Sequence, residues 1–357
     1  MKNKLGISVV VTCYNLEKYI EEALRSVFEQ DYDGPMEIII VDDASQDNSV
    51  ILIEETIRKY GEKFDVSFIR NERNMGVSGA TDRGWQQAKY DWIVEVDGDD
   101  IQYLNRCSNT AWLANRYPNA GMIVMSHRCI NDEGRGDFAR YFVMGNDTDA
   151  SFCAETPRER ADIFLNRAEN FPVRRGAYGC SMAINKKVVD LWGPLNAESI
   201  VCYAQDPPWE LRAFLSYPIV WSNMFACKYR SHSTNILNRI RKNSSVEDII
   251  ENELSMCQYD KKEILALVRM LADINKGSVN VCYSDWRKED LESCRTLLNQ
   301  YLVARKIRAN WWNLSFFKKL YLIVQYCKQL PVGFSSCLIT RLLPLKVFAW
   351  IKMLKRL

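Results

Sequence analysis

The chain has 357 residues, of which 47% are hydrophobic and 26% charged, so its composition is that of a globular protein with a full core, not of a disordered chain. The net charge of +2 averages two unlike regions, because residues 293–357 contain twelve Lys or Arg and no Asp or Glu. The preceding residues have 35 of the 47 basic residues against all 45 acidic ones. A basic tail therefore follows an acidic body.

The elements predicted over the first hundred residues alternate between strand and helix, which indicates a parallel sheet with right-handed crossovers. Ile20, Ala23, Leu24, Val27 and Phe28 recur at helical spacing and predict one buried helix face. Asn15 is expected to cap that helix. The predicted strands are 7–12, 37–41, 66–69 and 92–96, and helices are predicted over 48–60 and 78–88 in addition to the one that follows Asn15.

Beyond residue 100 the pattern is weaker. It predicts a helix over 102–115, a strand over 121–126, a loop or mobile flap over 131–149, and helices over 247–277 and 285–307. We expect one domain over residues 1–240, made of two halves (1–100 and 101–240). A helical region with a basic amphipathic tail is expected over 241–357.

The twelve cysteines occur singly, without a C-x-x-C pair, which favours a reduced, cytoplasmic compartment. The first residues lead directly into a strand pattern, so no signal peptide is expected. No run of 18 apolar residues exists, and a membrane-spanning helix is not expected.

The fourth predicted strand runs directly into Asp97, Asp99 and Asp100. Carboxylates this close repel one another unless a cation lies between them, and hard oxygen ligands favour Mg²⁺ or Mn²⁺. The carboxyl end of a parallel strand is also where open α/β sheets bind ligands. These residues predict a divalent-metal site, with a solvated acidic turn as the alternative.

The first two strands end in residues suited to a nucleotide. Tyr14 offers a ring for stacking on a base, and Asp43 offers a carboxylate for a ring N–H. Asp47 and Ser49 are more simply read as helix caps. The first strand is not followed by G-x-G-x-x-G, and the chain has no Walker A loop, so phosphate is expected to be held through a metal.

Four motifs together resemble the family 2 glycosyltransferases with the GT-A fold, over about residues 5–235. They are residues 9–15 (Val-Val-Val-Thr-Cys-Tyr-Asn), 41–47 (Val-Asp-Asp-x-Ser-x-Asp), 74–76 (Asn-x-Gly) and 96–100 (Val-Asp-Gly-Asp-Asp). The resemblance implies a Rossmann-like, mostly parallel sheet flanked by helices. It makes residues 1–240 a catalytic domain with a nucleotide-binding half (1–100) and an acceptor-binding half (101–240). It also implies an inverting enzyme that moves a sugar from a nucleotide-sugar, with uridine diphosphate as the expected carrier, to an acceptor hydroxyl.

The resemblance also implies roles for individual residues. Tyr14 and Asp43 match positions that hold the base, Asp97 matches the ribose contact, and Asp100 lies toward the donor sugar. The family often has Ala-Arg-Asn where this chain has Ala80-Thr81-Asp82-Arg83. The residues expected to bind the nucleotide-sugar are Thr12, Tyr14, Asp43, Asn74, Gly76, Arg83, Asp97, Gly98, Asp100 and Arg230, and those expected to bind Mn²⁺ or Mg²⁺ are Asp99 and His232.

The expected general base is Asp206, which follows Gln205 where the family has a Glu-Asp pair. Since two prolines follow Asp206, a helix N-cap is the alternative role. Further along, residues 229–232 resemble the family's Tyr-Arg-x-His signature. That match places His232 in the metal shell and Arg230 near the diphosphate.

The basic tail combines large apolar side chains with cations, as in residues 316–324 and 342–357. This pattern predicts contact with an anionic membrane surface, with an interdomain or homo-oligomer helix as the alternative. The acidic body argues against nucleic acid. We expect a peripheral enzyme at the inner face of the cell membrane that extends a cell-surface glycan or its lipid-linked precursor. A polyisoprenyl phosphate acceptor and a non-catalytic nucleotide-sugar-binding or scaffold protein are the alternatives.

Overall fold

The computed structural model describes most of the first 233 residues and short parts of the remainder. For residues 206–208 and 211 it describes the backbone alone. The described residues are 4–136, 138–143, 147–156, 159–160, 163, 179–194, 206–233, 235, 246–247, 250, 254, 299, 302–303, 306–326, 341–342 and 344–348.

The chain divides into two compact units. The first comprises Met1–Arg160, Asn170–Ala197 and Cys202–His232, and the second Ala161–Glu169, Glu198–Val201 and Ser233–Leu357. The expected domain limit at residue 240 stays a prediction, because few residues near it are described.

One mixed sheet forms the centre of the first unit, with strand order β3-β2-β1-β4-β9-β6-β10-β5 and with β7 and β8 paired to β6 and β10. Strands β1 to β4 are mutually parallel where they pair, while β9 joins antiparallel to β4 and β6. The expected α/β fold is therefore confirmed. The strands are β1 (Ile7–Cys13), β2 (Met36–Asp42), β3 (Asp65–Arg70), β4 (Trp92–Asp97), β5 (Ile101–Gln102), β6 (Met122–Asn131), β7 (Phe138–Arg140), β8 (Ser151–Ala154), β9 (Met182–Asn185) and β10 (Ile219–Ser231).

Helices join the strands at the positions that the apolar spacing predicts. In α1 all five residues of the predicted face are buried. Burial of each large apolar side chain among them contributes roughly 1.5–3 kcal/mol to the stability of the fold. The described helices of the first unit are α1 (Ile20–Phe28), α2 (Ser49–Tyr60), α3 (Gly76–Gln87), α4 (Arg106–Arg116), α5 (Lys186–Trp192) and α6 (Asp206–Ser216).

The register of the parallel strands aligns their carboxyl ends. Thr12 of β1 pairs with Val41 of β2 on one side and with Asp97 of β4 on the other. Consecutive strands therefore deliver their last residues, and the loops that follow, to one edge of the sheet.

Two local expectations are wrong. Helix α1 begins at Ile20 with Tyr19 before it, so Asn15 does not cap it. Instead Asn15 has a left-handed backbone (φ +54°), which asparagine tolerates, and its carboxamide oxygen accepts from the Gln46 backbone N–H at 2.7 Å. The span 131–149 is not a plain loop, because β6 extends to Asn131 and β7 pairs with β6.

In the second unit, helix α7 (Phe316–Tyr326) is described next to a small apolar cluster. Ile307, Trp311 and Ile323 form the buried part of this cluster. Within the described part of the chain, no helix combines the length and apolar character needed to cross a membrane.

Candidate active site

The loop after β4 is held tightly against the end of β1. The Gly98 N–H donates to the Thr12 carbonyl at 3.0 Å, and a side chain at Gly98 would place its Cβ 2.7 Å from that oxygen. Since backbone cannot move aside cheaply, only glycine fits here. The close approach brings Asp97, Asp99 and Asp100 to the edge where β1 ends.

Asp43 organises the part of this edge that follows β2 and β3. Its buried Oδ1 accepts from the Asn71 side chain at 2.7 Å and from the Met75 backbone N–H at 2.8 Å. Arg83 of α3 donates to the same Asn71 at 2.9 Å, so the arginine expected near the nucleotide is joined to Asp43 through one residue. Tyr14, with 44% of its surface exposed, leaves its ring accessible for stacking.

The turn before α3 is shaped by the expected pair at 74 and 76. The Asn74 side chain accepts from the Gly76 N–H at 3.0 Å. Gly76 has φ +75°, a conformation that disfavours other residues. This turn positions the Met75 N–H, from which Asp43 accepts a hydrogen bond. The turn therefore accounts for the asparagine at 74 and the glycine at 76.

The structure brings together the two expected metal ligands, although they are 133 positions apart. Nε2 of His232 lies 2.8 Å from Oδ2 of Asp99, and the His232 ring packs 4.5 Å from the Tyr19 ring. Neighbouring ligands of an octahedral Mg²⁺ or Mn²⁺ are about 3 Å apart. One carboxylate oxygen and one imidazole nitrogen at this separation fit a divalent cation.

Arg230 connects four parts of the site and is almost completely buried. Its backbone N–H donates to Asp100 Oδ1 at 2.8 Å, and its guanidinium donates to the carbonyls of Asp99 and Asp132, each at 2.9 Å. A third guanidinium contact is the ion pair with Glu22 of α1 at 2.6 Å. These contacts hold the 97–100 loop in place, and direct contact of Arg230 with diphosphate stays a prediction.

Asp100 lies beneath this loop, fully buried. Burial, followed by repulsion from Asp99, raises the pKa of the Asp100 carboxyl well above its usual range. Tyr19 flanks the same region and donates to Asp132 at 2.5 Å. Burial, together with that hydrogen bond, raises the pKa of Tyr19 to about 12, so it remains a donor at neutral pH.

Asp206 is the first residue of α6, and its side chain lies outside the described residues. The helix packs on α3 through Trp209, whose ring centroid is 4.7 Å from that of Trp85. The Gln205 substitution and most of the segment before β9 also lie outside the described residues.

Four contributors were not predicted: Tyr19, Asn71, Glu22 and Asp132. Asn71 carries a recognisable signal, since it directly follows β3 at the same sheet edge, and its N–H donates to the Asp42 carbonyl. Glu22 and Asp132 carry no such signal in the sequence, because each contacts Arg230, which is far away along the chain.

The fold and this arrangement of strand-end carboxylates are those of a nucleotide-binding α/β protein. Residues 8–192 match the family described as Glycosyl transferase family 2. The chain therefore belongs to glycosyl transferase family 2, which confirms the resemblance of the four motifs.

Comparison with individual proteins agrees. Residues of this chain are 36% identical over 96 positions to the poly-beta-1,6-N-acetyl-D-glucosamine synthase of Staphylococcus aureus (strain COL), covering 27% of this chain and 22% of the relative. The chain thus matches about a fifth of the length of that relative.

Solved structures show the same fold. S. aureus TarS superposes with a TM-score of 0.52 at 18% identity, covering 98% of this chain and 54% of that protein. TarS 1-349 in complex with UDP-GlcNAc has a TM-score of 0.50 at 16% identity, covering 94% and 90%. GalNAc-T7 with UDP, GalNAc and Mn²⁺ also has a TM-score of 0.50, at 17% identity, covering 66% and 45%. The Rossmann-like GT-A architecture is thereby confirmed.

Proposed function

We propose that this protein is an inverting, metal-dependent glycosyltransferase that moves a sugar from a UDP-linked donor to a hydroxyl of a cell-surface glycan or its lipid-linked precursor. The observation that carries the proposal is the convergence of Asp43, Asp97 and Asp99 with His232 at one sheet edge. Family membership and the nucleotide complexes of the structural relatives support it.

The donor is held from two sides in this proposal. Tyr14 stacks on the base, and Asp43, fixed by Asn71 and Met75, accepts a hydrogen bond from the base. Asp97 accepts from the ribose hydroxyls, and Gly98 allows the approach of this loop to β1. Asp100, which is fully buried, supports the sugar side of the site from beneath the loop through its hydrogen bond with the Arg230 N–H. Thr12, Asn74, Gly76 and Arg83 shape the floor on which the nucleotide lies.

Asp99 and His232 hold Mn²⁺ or Mg²⁺ in this proposal. When bound, the cation neutralises charge on the departing diphosphate. Arg230 adds positive charge from beneath and fixes the Asp99 backbone through its carbonyl. The structure of GalNAc-T7, a relative of the same fold, contains Mn²⁺ and supports this choice of ion.

Asp206 acts as the general base. Its position at the N-terminus of α6, on the acceptor half of the first unit, suits a carboxylate that accepts the proton of the attacking hydroxyl. Attack on the face opposite the leaving diphosphate inverts the anomeric centre, and the transition state has oxocarbenium character.

A donor screen tests the proposal. The full chain with Mn²⁺ is incubated with UDP- and GDP-sugars, and release of nucleoside diphosphate is measured with glycan, lipid-linked glycan or polyisoprenyl phosphate as acceptor. We expect acceptor-dependent release of UDP, loss of release with a chelator, and an inverted anomer by NMR. Nucleotide binding without release for every donor would instead identify a non-catalytic binding protein.

We also propose that helix α7 lies on an anionic membrane surface. Phe317, Leu320, Tyr321 and Val324 follow i, i+3, i+4 and i+7 spacing, and all are exposed, with Phe317 at 80% and Val324 at 70%. Lys318 is beside this face, and residues 293–357 contain no acid. Large apolar residues beside cations suit the interface of anionic lipid.

Replacing Phe317 and Val324 together with serine is expected to weaken vesicle binding roughly tenfold or more, because two large apolar side chains no longer enter the interface. Co-sedimentation with phosphatidylglycerol-containing vesicles measures the change. The matched control replaces Ile51 and Trp112, which are 54% and 46% exposed in the first unit, with serine.

Equal binding by both double variants would refute the membrane role of α7. Conversion of a stable dimer to a monomer by the Phe317/Val324 variant alone, seen by light scattering, would favour the oligomer alternative.

A further inference from the structure

Three side chains with metal-ligand chemistry meet beneath the 97–100 loop. Asp100 follows β4, Cys180 lies in the single turn before β9, and Cys227 is in β10. One carboxylate oxygen and the two sulfurs all lie within 4.8 Å of one another. All three residues are at most 1% exposed. They come from distant parts of the chain, so only the fold assembles them.

The hydrogen-bonding capacity of this cluster is only partly satisfied by the described residues. The sulfurs of Cys180 and Cys227 lie within 4.8 Å of each other. Asp100 Oδ1 accepts from the Arg230 N–H, whereas Asp100 Oδ2 has no hydrogen-bond partner among the described residues. A buried carboxylate oxygen without a partner costs free energy and is available as a ligand.

The donor set differs in kind from the one at Asp99. Two sulfurs and one oxygen suit Zn²⁺ or Cd²⁺, whereas Mg²⁺ and Mn²⁺ prefer oxygen. In a tetrahedral site with Zn–S distances of 2.3 Å, two sulfurs are about 3.8 Å apart. The two sulfurs already lie within 4.8 Å of each other, so binding requires only a small adjustment.

We propose that Asp100, Cys180 and Cys227 bind one thiophilic divalent ion of the Zn²⁺ class, in addition to the Mg²⁺ or Mn²⁺ of the proposed reaction. On binding, the two thiols release their protons and coordinate as thiolates, and Asp100 supplies a carboxylate oxygen. The ion joins the 97–100 loop to β10 and to the turn before β9. The proposal does not depend on transferase activity.

Titration of the full chain with Cd²⁺ tests the site. The reduced protein is freed of metal and titrated in excess Mg²⁺, while the near-ultraviolet thiolate-to-Cd²⁺ charge-transfer band is followed. We expect saturation at one equivalent and a rise in Tm with Zn²⁺. Cys180→Ser and Cys227→Ser should each abolish both effects, and Cys107→Ser, which removes a buried thiol of α4, should leave both intact.

Unchanged absorbance in both cluster variants would assign the band to other thiols and overturn the proposal. If the variants do not fold, the wild-type Co²⁺ spectrum decides: sulfur charge-transfer bands with tetrahedral ligand-field bands support the site, and a spectrum of octahedral oxygen coordination overturns it. The proposal is also overturned if mass spectrometry finds a Cys180–Cys227 disulfide in the isolated protein and the same protein, once reduced, binds no Cd²⁺.

Discussion

Replacing Asp206 with asparagine is expected to lower kcat by roughly 10²–10⁴-fold while leaving nucleotide affinity nearly unchanged. Asparagine keeps the size of the side chain and its capacity to cap α6, but its amide cannot accept the proton of the acceptor hydroxyl. A role in helix capping alone would therefore survive this substitution, whereas a role as base would not. Steady-state release of UDP and calorimetric binding of UDP measure the two quantities.

The matched control is Asp190→Asn, which neutralises a carboxylate that is 60% exposed at the end of α5 and paired with Lys186. We expect its kcat to equal that of the wild type. Full turnover by the Asp206 variant would remove this residue from the mechanism without affecting the assignment of the donor site.

Replacing Asp99 with asparagine is expected to lower activity by roughly 10²-fold or more and to weaken Mn²⁺ binding. A bound cation contributes several kcal/mol to stabilising the charge of the transition state, and each 1.36 kcal/mol corresponds to a tenfold change in rate. The amide retains one oxygen but not the negative charge. His232→Gln, which removes the ligand 2.8 Å away, should have the same kind of effect.

Electron paramagnetic resonance of free Mn²⁺ measures affinity, and the activity is followed as a function of Mn²⁺ concentration. Glu133→Gln is the control, because it removes an exposed carboxylate that pairs with Arg135. A Mn²⁺ dependence in the Asp99 variant identical to that of the wild type would contradict the metal role of Asp99 but not the nucleotide role of Asp43.

Several features of this site follow from local sequence. The five apolar residues of α1 and the β-branched run of β1 are periodic signals within a few residues, and each was placed correctly. Because parallel strands end at one edge, residues after β1, β2 and β4 were expected to meet there, and Asp43 and Asp97 do lie after aligned strands.

Other contacts had no local signal. Asn15 looked like a helix cap, but its carboxamide instead accepts from Gln46 in the loop after β2. Nothing in the local sequence distinguishes Glu22, and its ion pair with Arg230 spans 208 positions. Pairings of this kind depend on how elements pack, which propensity and spacing do not encode.

The sequence by itself determined the alternation of strands and helices, the family motifs and the residue types that the proposed nucleotide and metal sites use. The tertiary structure decided which of these residues come together: His232 contacts Asp99, Arg83 and Asp43 share a hydrogen bond partner in Asn71, and Asp100 lies near two cysteines. The reason is physical. Apolar periodicity is set by neighbours along the chain, whereas the distance between two polar side chains is set by strand register and by the packing of the whole core.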